Sequence, residues 1–541
     1  MSEDTSYSSL LDLFPESLPD NLSLPVLFPL EQKRYLIGGY IKEWQGETID
    51  VFSPVWLNKN GNLNPIRLGS VPAMDEATAL EALDGAVQAW NNGNGVWPRM
   101  RSEERIEAVL KFTRKMEELK DEIVSWIVFE IGKSKKDAGI EFDRTTEYIR
   151  DTLNAVKEGA RSTARFTLEQ GILAQIRRVP LGVVLCMGPF NYPLNETFAT
   201  FIPALLMGNT VLFKPPKNGV LLYEPLLNAM TECFPAGVVN TVYGDGIKVI
   251  PPIMKSGKVD VLAFIGSSRV ADQLKKQHPH PHKLRSILGM GAKNAAILLP
   301  DVDIESVIGE CVKGSLAFNR QRCTALKIFF VPKSKEKDFV KSFGEKMALL
   351  KAGMPYNDSV DITPLPIDNK SEYLQSLIDD AVSKGATVIG GQHAGPLFLP
   401  TLIYGVKEGM KVYEVEQFGP IVPVVSYDDP KEALDWIVNS HYGQQVSLFG
   451  KQPNQVAMFV DELVHQVCRV NLNSQCQRGP DVFPFTGRKG SAEGTLSVSD
   501  ALRSFSIRTL VAAKETDENL LLLRTITEER LSSFISTDFL F

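Results

Sequence analysis

Cys323 sits in the run Phe318-Asn319-Arg320-Gln321-Arg322-Cys323-Thr324, and it is the one cysteine of six that its neighbours present as a nucleophile. The thiolate is the reactive form, and Arg322 directly before it is expected to favour that form by opposite charge. Far upstream, Gly188-Pro189-Phe190-Asn191-Tyr192-Pro193 closes a strand-like stretch with the amide of Asn191. A thiolate to attack a carbonyl carbon and an amide to hold the resulting oxyanion are the two parts that covalent carbonyl chemistry needs.

These residues have to be carried by regular elements, and the centre of the chain alternates strand and helix. Gly182–Met187, Thr210–Phe213, Val238–Tyr243 and Val261–Ile265 read as apolar strands, with Asn195–Leu206 helical between the first two. Buried strands joined by crossover helices predict an α/β fold built on a parallel sheet. Ligands in such sheets bind beyond the carboxyl ends of the strands. Asn191, Lys214, Gly244 and Gly266-Ser267-Ser268 all follow strands and are expected to meet in one crevice. A second alternating region runs from about Gly289 to Val470, with strands Ala295–Leu299, Ala325–Val331 and Val422–Val425, and it carries Cys323. The segment Arg161–Arg178 is more irregular, and its strand-like part is expected to pair with Phe505–Ala512 in a protruding sheet.

Nearer the N-terminus, a helix is expected at Asp75–Trp90, and another from Ser102 toward Ile131, stopped by Gly132. Gly132-Lys133-Ser134 resembles the end of a phosphate loop, but Ile127 stands where that loop needs its first glycine. His278-Pro279-His280-Pro281-His282 reads as a solvated turn, since alternate prolines hold it extended and no carboxylate or cysteine cluster accompanies it. No metal site is expected.

With 541 residues the chain is too long for one simple core. A formal charge of −7 provides no broad cationic surface for nucleic acid or membrane, so an anion has to be met by local arginines. Six cysteines without paired spacing suit a reducing compartment. The acidic start Met1-Ser2-Glu3-Asp4 lacks a signal peptide's basic flank, and no stretch approaches the roughly 20 apolar residues of a membrane helix. A cytoplasmic protein is expected.

The chain resembles the aldehyde dehydrogenase superfamily over roughly residues 35 to 515. The matching motifs are Gly188-Pro189-Phe190-Asn191-Tyr192-Pro193, Phe213-Lys214-Pro215, Pro235-Ala236-Gly237-Val238-Val239-Asn240, Phe264-Ile265-Gly266-Ser267-Ser268, Gln321-Arg322-Cys323 and Glu416-Gln417-Phe418-Gly419-Pro420. The resemblance implies two Rossmann-like parallel-sheet domains and a small oligomerisation sheet, in a homodimer or homotetramer. Residues 34–160 and 179–287 would form the dinucleotide-binding domain and 288–500 the catalytic domain. Residues 161–178 and 501–515 would form the oligomerisation sheet, with an extension over 1–33 and a tail over 516–541. Lys214, Gly244, Gly266, Ser267, Glu416 and Phe418 would hold a nicotinamide cofactor. Lys217 stands where NAD-preferring relatives often carry an acid, which points to NADP with NAD possible.

More closely, the chain is similar to the non-phosphorylating glyceraldehyde-3-phosphate dehydrogenases of that superfamily. The group's substrate-phosphate residues fall on Arg144 in Glu141-Phe142-Asp143-Arg144-Thr145, on Tyr192, on Arg322, and on Arg478 in Gln477-Arg478-Gly479-Pro480-Asp481. Guanidinium forks suit a phosphate dianion. The implied reaction takes a small phosphorylated aldehyde to the acid through a Cys323 thiohemiacetal and thioester. One position departs from the pattern: the deacylation base is a glutamate in a Leu-Glu-Leu-Gly-Gly-Lys stretch, and here Leu288-Gly289-Met290-Gly291-Ala292-Lys293 puts Gly289 at that place. Glu416 is the nearest substitute by motif. The departure leaves open a coenzyme A-acylating semialdehyde dehydrogenase and a catalytically impaired relative.

Overall fold

Five apolar runs form the centre of one sheet: Val183–Met187 (β1), Thr210–Lys214 (β2), Val239–Thr241 (β3), Val261–Ile265 (β4) and Arg285–Gly289 (β5). They lie in the order β3-β2-β1-β4-β5, all parallel. Every residue of β1 is buried, as expected of a strand covered on both faces. The pair Ala492–Glu493 adds a short antiparallel edge beside β5, so the sheet is not wholly parallel. The computed structural model describes residues 10–19, 26 and 28–539. Positions 1–9, 20–25 and 27 of the expected N-terminal extension, and 540 and 541 of the tail, lie outside the described residues.

The second sheet collects Ala295–Leu298 (β6), Ile328–Pro332 (β7), Thr387–Gly390 (β8), Thr401–Tyr404 (β9), Ile421–Tyr427 (β10), Gln445–Phe449 (β11) and Arg469–Leu472 (β12). Its order is β8-β9-β10-β7-β6-β11-β12, with only β8 antiparallel. A third, antiparallel sheet pairs Ile172–Pro180 with both Thr167–Glu169 and Ser506–Lys514. The predicted pairing of the two distant segments is therefore present. Residues 161–163, however, end the helix Lys135–Thr163, which the sequence reading did not anticipate.

The helix predicted from Ser102 to Ile131 is two helices, Ser102–Glu118 and Lys120–Ile131, broken at Leu119. Asp121 and Glu122 lie in the first turn of the second helix, where the helix dipole favours negative charge. Gly132 ends it in the left-handed conformation at φ 68°. His278 is buried, not solvated: its Nε2 lies 3.1 Å from the Val259 carbonyl, and Nδ1 accepts from the His280 N–H. Among the described residues no helix is long and apolar enough to cross a membrane, and no group of three or more side chains could hold a metal.

Candidate active site

A cavity of about 1620 Å³ opens at the carboxyl ends of β1, β2 and β4, lined by residues of both mainly parallel sheet regions. It is lined by Asn191, Lys214, Lys217, Gly266, Ser267, Cys323, Glu416 and Phe418, and also by Arg144, Tyr192, Arg322 and Arg478. Gly244 is the exception. It packs on the backbone of Met74, where a Cβ would come 3.0 Å from the Met74 nitrogen, and Asp245 and Gly246 line the wall in its place.

Cys323 follows three consecutive non-glycine residues in the left-handed region, Phe318, Asn319 and Arg320, at φ 50°, 51° and 61°. Such residues cost on the order of 1–3 kcal/mol each and persist only where their surroundings over-determine them. The Asn319 amide exchanges hydrogen bonds with Thr363 at 2.9 and 3.0 Å. The buried Arg320 guanidinium donates to the Ile421 carbonyl. Asn294, just past the glycine-rich stretch, holds the Cys323 carbonyl at 2.7 Å.

The expected activation of Cys323 by Arg322 does not occur. Arg322 Nη2 is drawn to the carbonyls of Gly314 and Lys313, at 2.9 and 3.3 Å, and the guanidinium is not among the groups that act on the thiol. Burial pushes the Cys323 thiol above its ordinary pKa and the carboxylate of Glu196 adds to this, while Lys327, Gln444 and Arg478 oppose it. Asn191 Nδ2 donates to the Gln321 carbonyl at 2.8 Å. A carboxamide has a second N–H, which stays available for an oxyanion. The Asn191 carbonyl accepts from the buried Lys133 at 2.8 Å, and Lys133 pairs with Glu141 at 2.5 Å. The phosphate-loop look of Gly132-Lys133-Ser134 thus hides a buried ion pair.

The four residues expected to meet a phosphate do converge, but two of the arginines are already paired. Arg144 binds Asp481 through two bonds of 2.9 and 2.7 Å. Arg478 reaches Asp481 at 3.2 Å and pairs with Glu196, both side chains being buried. Tyr192 lies under the Lys133 ammonium, 3.6 Å from its ring centre, and burial raises its pKa. Asp481 is a near neighbour of Arg478 in the chain, but its pairing with Arg144 and that of Glu196 with Arg478 join segments far apart in the sequence. Glu196 lies beside Asn195 at the start of a helix and carries no local mark.

At the opposite end, Lys214 closes β2 with its ammonium on the Pro215 carbonyl at 3.0 Å, and burial lowers its pKa to about 8. Three donors with one protein acceptor leave room for ligand oxygens. Ser267 caps the helix Ser268–Gln277, whose N-terminus faces the cavity, a placement suited to phosphate. A Cβ on Gly266 would strike the Phe264 ring at 2.3 Å. Lys217 is 81% exposed and pairs with the equally exposed Asp368 at 3.2 Å, so this cation has a neighbour of opposite sign. The segment after it is pinned by buried Glu130, which accepts from the N–H groups of Gly219 through Leu222, its pKa raised to about 7 by burial.

Glu416 pairs with the buried Lys327, whose ammonium also lies 3.4 Å from the Cys323 carbonyl. Lys293 fixes the surrounding segment through the carbonyls of Val412 and Val415. Gly289 ends β5, and a Cβ there would point at Ile265, 3.3 Å away. At Gly291 a Cβ would lie 2.8 Å from the Glu416 carboxylate. The carboxylates on the cavity wall are Glu196, Asp245, Asp368 and Glu416 among the described residues.

The fold and this cysteine-bearing cleft define an aldehyde-oxidising enzyme class. The model of the aldehyde dehydrogenase family matches residues 43–511, and the chain belongs to that family. It is 32% identical over 499 residues to the NADP-dependent glyceraldehyde-3-phosphate dehydrogenase of Streptococcus equinus, covering 90% of this chain and 98% of that protein. The crystal structure of NADP-dependent glyceraldehyde-3-phosphate dehydrogenase from Bacillus halodurans C-125 complexed with NADP is similar with a TM-score of 0.82 at 30% identity. That match covers 90% of this chain and 100% of the other. A lactaldehyde dehydrogenase of Methanocaldococcus jannaschii is 26% identical over 471 residues, 85% of this chain and 99% of the relative.

Proposed function

We propose that the chain oxidises glyceraldehyde 3-phosphate to 3-phosphoglycerate with NADP, without phosphorylation. The observation that carries this reading is the convergence of Arg144, Tyr192, Arg322 and Arg478 on the same cavity as Cys323 and Asn191. The similarity to relatives named for that reaction supports it.

In this reading the Cys323 thiolate adds to the aldehyde carbon, forming a C–S bond. The free N–H of Asn191 and the backbone N–H of Cys323 hold the oxyanion. A bound NADP would supply the hydride acceptor for that carbon. Lys214 and Ser267 would hold the cofactor's phosphates and ribose, Lys217 its adenosine end, and Glu416 with Phe418 its nicotinamide end. The thioester left on Cys323 is cleaved by water, releasing the acid and a proton and restoring the thiol. The two parallel sheets serve as the nucleotide-binding domain (34–160 and 179–287) and the catalytic domain (288–500). The third sheet, with Ile172, Ile507 and Leu510 exposed, serves homodimer or homotetramer assembly.

Neither Gly289 nor Gly291 offers a carboxylate, and Glu416 has one oxygen engaged by Lys327. Thioester breakdown is therefore expected to limit turnover. Rapid mixing with glyceraldehyde 3-phosphate and NADP should give a burst of NADPH followed by a slower steady rate, with 3-phosphoglycerate as product. Gly289 also favours a second reading, transfer of the acyl group to coenzyme A. In that case added coenzyme A raises the steady rate and an acyl-coenzyme A accumulates. Faster oxidation of lactaldehyde than of glyceraldehyde 3-phosphate would overturn the substrate assignment.

The adenosine end has its own test. Lys217→Glu should repel a 2′-phosphate and accept ribose hydroxyls, moving the NADP/NAD ratio of kcat/KM toward NAD by roughly 10- to 150-fold, the worth of one charge-assisted contact. An unchanged ratio would mean that the adenosine end is read elsewhere.

A further inference from the structure

The phosphate end of the cavity is partly neutralised from within. Arg144 and Arg478 share Asp481, Arg478 also holds Glu196, and Arg322 has Nη2 on backbone carbonyls while its buried Nε has no partner. Asp481 lies behind the arginines and does not line the cavity, whereas Glu196 does, beside Arg478, Tyr192 and Cys323. Its side chain is only 9% exposed and its partner's 4%. A dianion arriving at Arg478 therefore meets a carboxylate already in place.

We propose that Glu196 is a specificity-determining residue: it competes with the substrate's anionic group for Arg478 and sets how strongly the pocket prefers a phosphorylated aldehyde over a neutral one. The inference rests on the reading above that this end of the cavity takes the phosphate. An isolated buried arginine is costly to hold, and Glu196 supplies its counter-charge while the pocket is empty. The phosphate then has to take over that role and bear the repulsion of the carboxylate it displaces. Glu196 is thus both the support of Arg478 and a selective barrier to phosphate.

The same carboxylate faces the nucleophile. The charged groups acting on Cys323 are Glu196, Lys327 and Arg478. Arg144 also acts on Glu196, and the neutral phenol of buried Tyr148 lies near it. Burial raises the thiol's pKa and Glu196 adds to it, so removing that carboxylate's charge should move thiolate formation to lower pH.

The test uses Glu196→Gln, nearly isosteric, with Glu196→Ala as a second variant that removes the charge by a different route. Inorganic phosphate is titrated as protection of Cys323 against iodoacetamide, and alkylation rate is followed against pH. Both variants should bind phosphate about tenfold more tightly than the wild type, the effect of removing one like charge from a shielded site. Their alkylation profiles should shift to lower pH, which a purely structural role would not produce. The preference for glyceraldehyde 3-phosphate over glyceraldehyde, as a ratio of kcat/KM, should rise by a similar factor. Equal or absent phosphate protection in wild type and variants, or an unmoved alkylation profile, overturns the proposal. Tighter phosphate binding without oxidation of glyceraldehyde 3-phosphate by any form leaves the role of Glu196 standing and removes only the assigned substrate.

Discussion

Replacing Cys323 by serine should cut NADPH formation by more than about a thousandfold, on the order of 4 kcal/mol in the barrier. A serine hydroxyl needs an adjacent base to become a nucleophile, and no histidine lines the cavity among the described residues. The nearby ammonium, Lys327, is committed to Glu416. The hydroxyl would therefore stay protonated and unreactive, while the loop that carries it would keep its shape. That loop is held by the Asn319–Thr363, Arg320–Ile421 and Asn294–Cys323 contacts, none of which uses the sulfur. Cofactor binding by fluorescence quenching should match the wild type, and substantial residual NADPH would remove Cys323 from the mechanism. A related expectation concerns pH in the wild type. Because burial raises the thiol's pKa, the thiolate fraction grows as pH climbs toward that raised value. The burst rate should therefore increase from neutral to alkaline pH.

What the sequence shows most clearly is chemistry placed by local rules. Asn191, Lys214 and Ser267 follow strands, so an apolar run and its end suffice to bring them to one crevice. Cys323 is marked by its polar neighbours, and the parallel strands by their continuous burial. Electrostatic context is where the reading loses hold. Arg322 looked like an activator because it is adjacent in the chain, yet its side chain is drawn to the carbonyls of Lys313 and Gly314. Arg144 and Arg478 match phosphate-binding positions, but the fold brings Asp481 to Arg144 and Glu196 to Arg478 across long stretches of chain, and only the Arg478–Asp481 contact is local. Gly244 illustrates a third limit. A glycine after a strand marks a close approach, but the approaching group is the Met74 backbone and not a ligand. The β5 strand went unread because it starts with the polar pair Arg285-Ser286 and ends at Gly289, leaving only Ile287 and Leu288 as an apolar signal.

The buried pair behind Asn191 carries the second large effect. Lys133 is wholly buried; it donates to Glu141 and to the Asn191 carbonyl, and its ammonium sits over the rings of Tyr192 and Phe318 at 3.6 and 4.2 Å. It therefore joins the helix Lys135–Thr163, the oxyanion segment and the loop leading to Cys323. Burial lowers its pKa, and Glu141 opposes that shift. The other oxygen of Glu141 accepts from the N–H groups of Leu194 and Asn195 at 3.0 and 3.2 Å. Lys133→Met removes the positive partner and leaves a buried carboxylate uncompensated, a change that costs about 3–5 kcal/mol. Denaturant unfolding should show that loss, and hydride transfer should fall with it because the Asn191 backbone carbonyl loses its anchor. Adding Glu141→Gln removes the stranded charge yet keeps an oxygen for the two backbone donors. The double variant should therefore recover most of the stability, while the Asn191 carbonyl remains unanchored and the burst rate stays low. That split separates support of the fold from placement of the oxyanion donor. An unfolding midpoint for Lys133→Met equal to the wild type would remove the support of the fold, and an unchanged burst rate would remove the placement of the oxyanion donor.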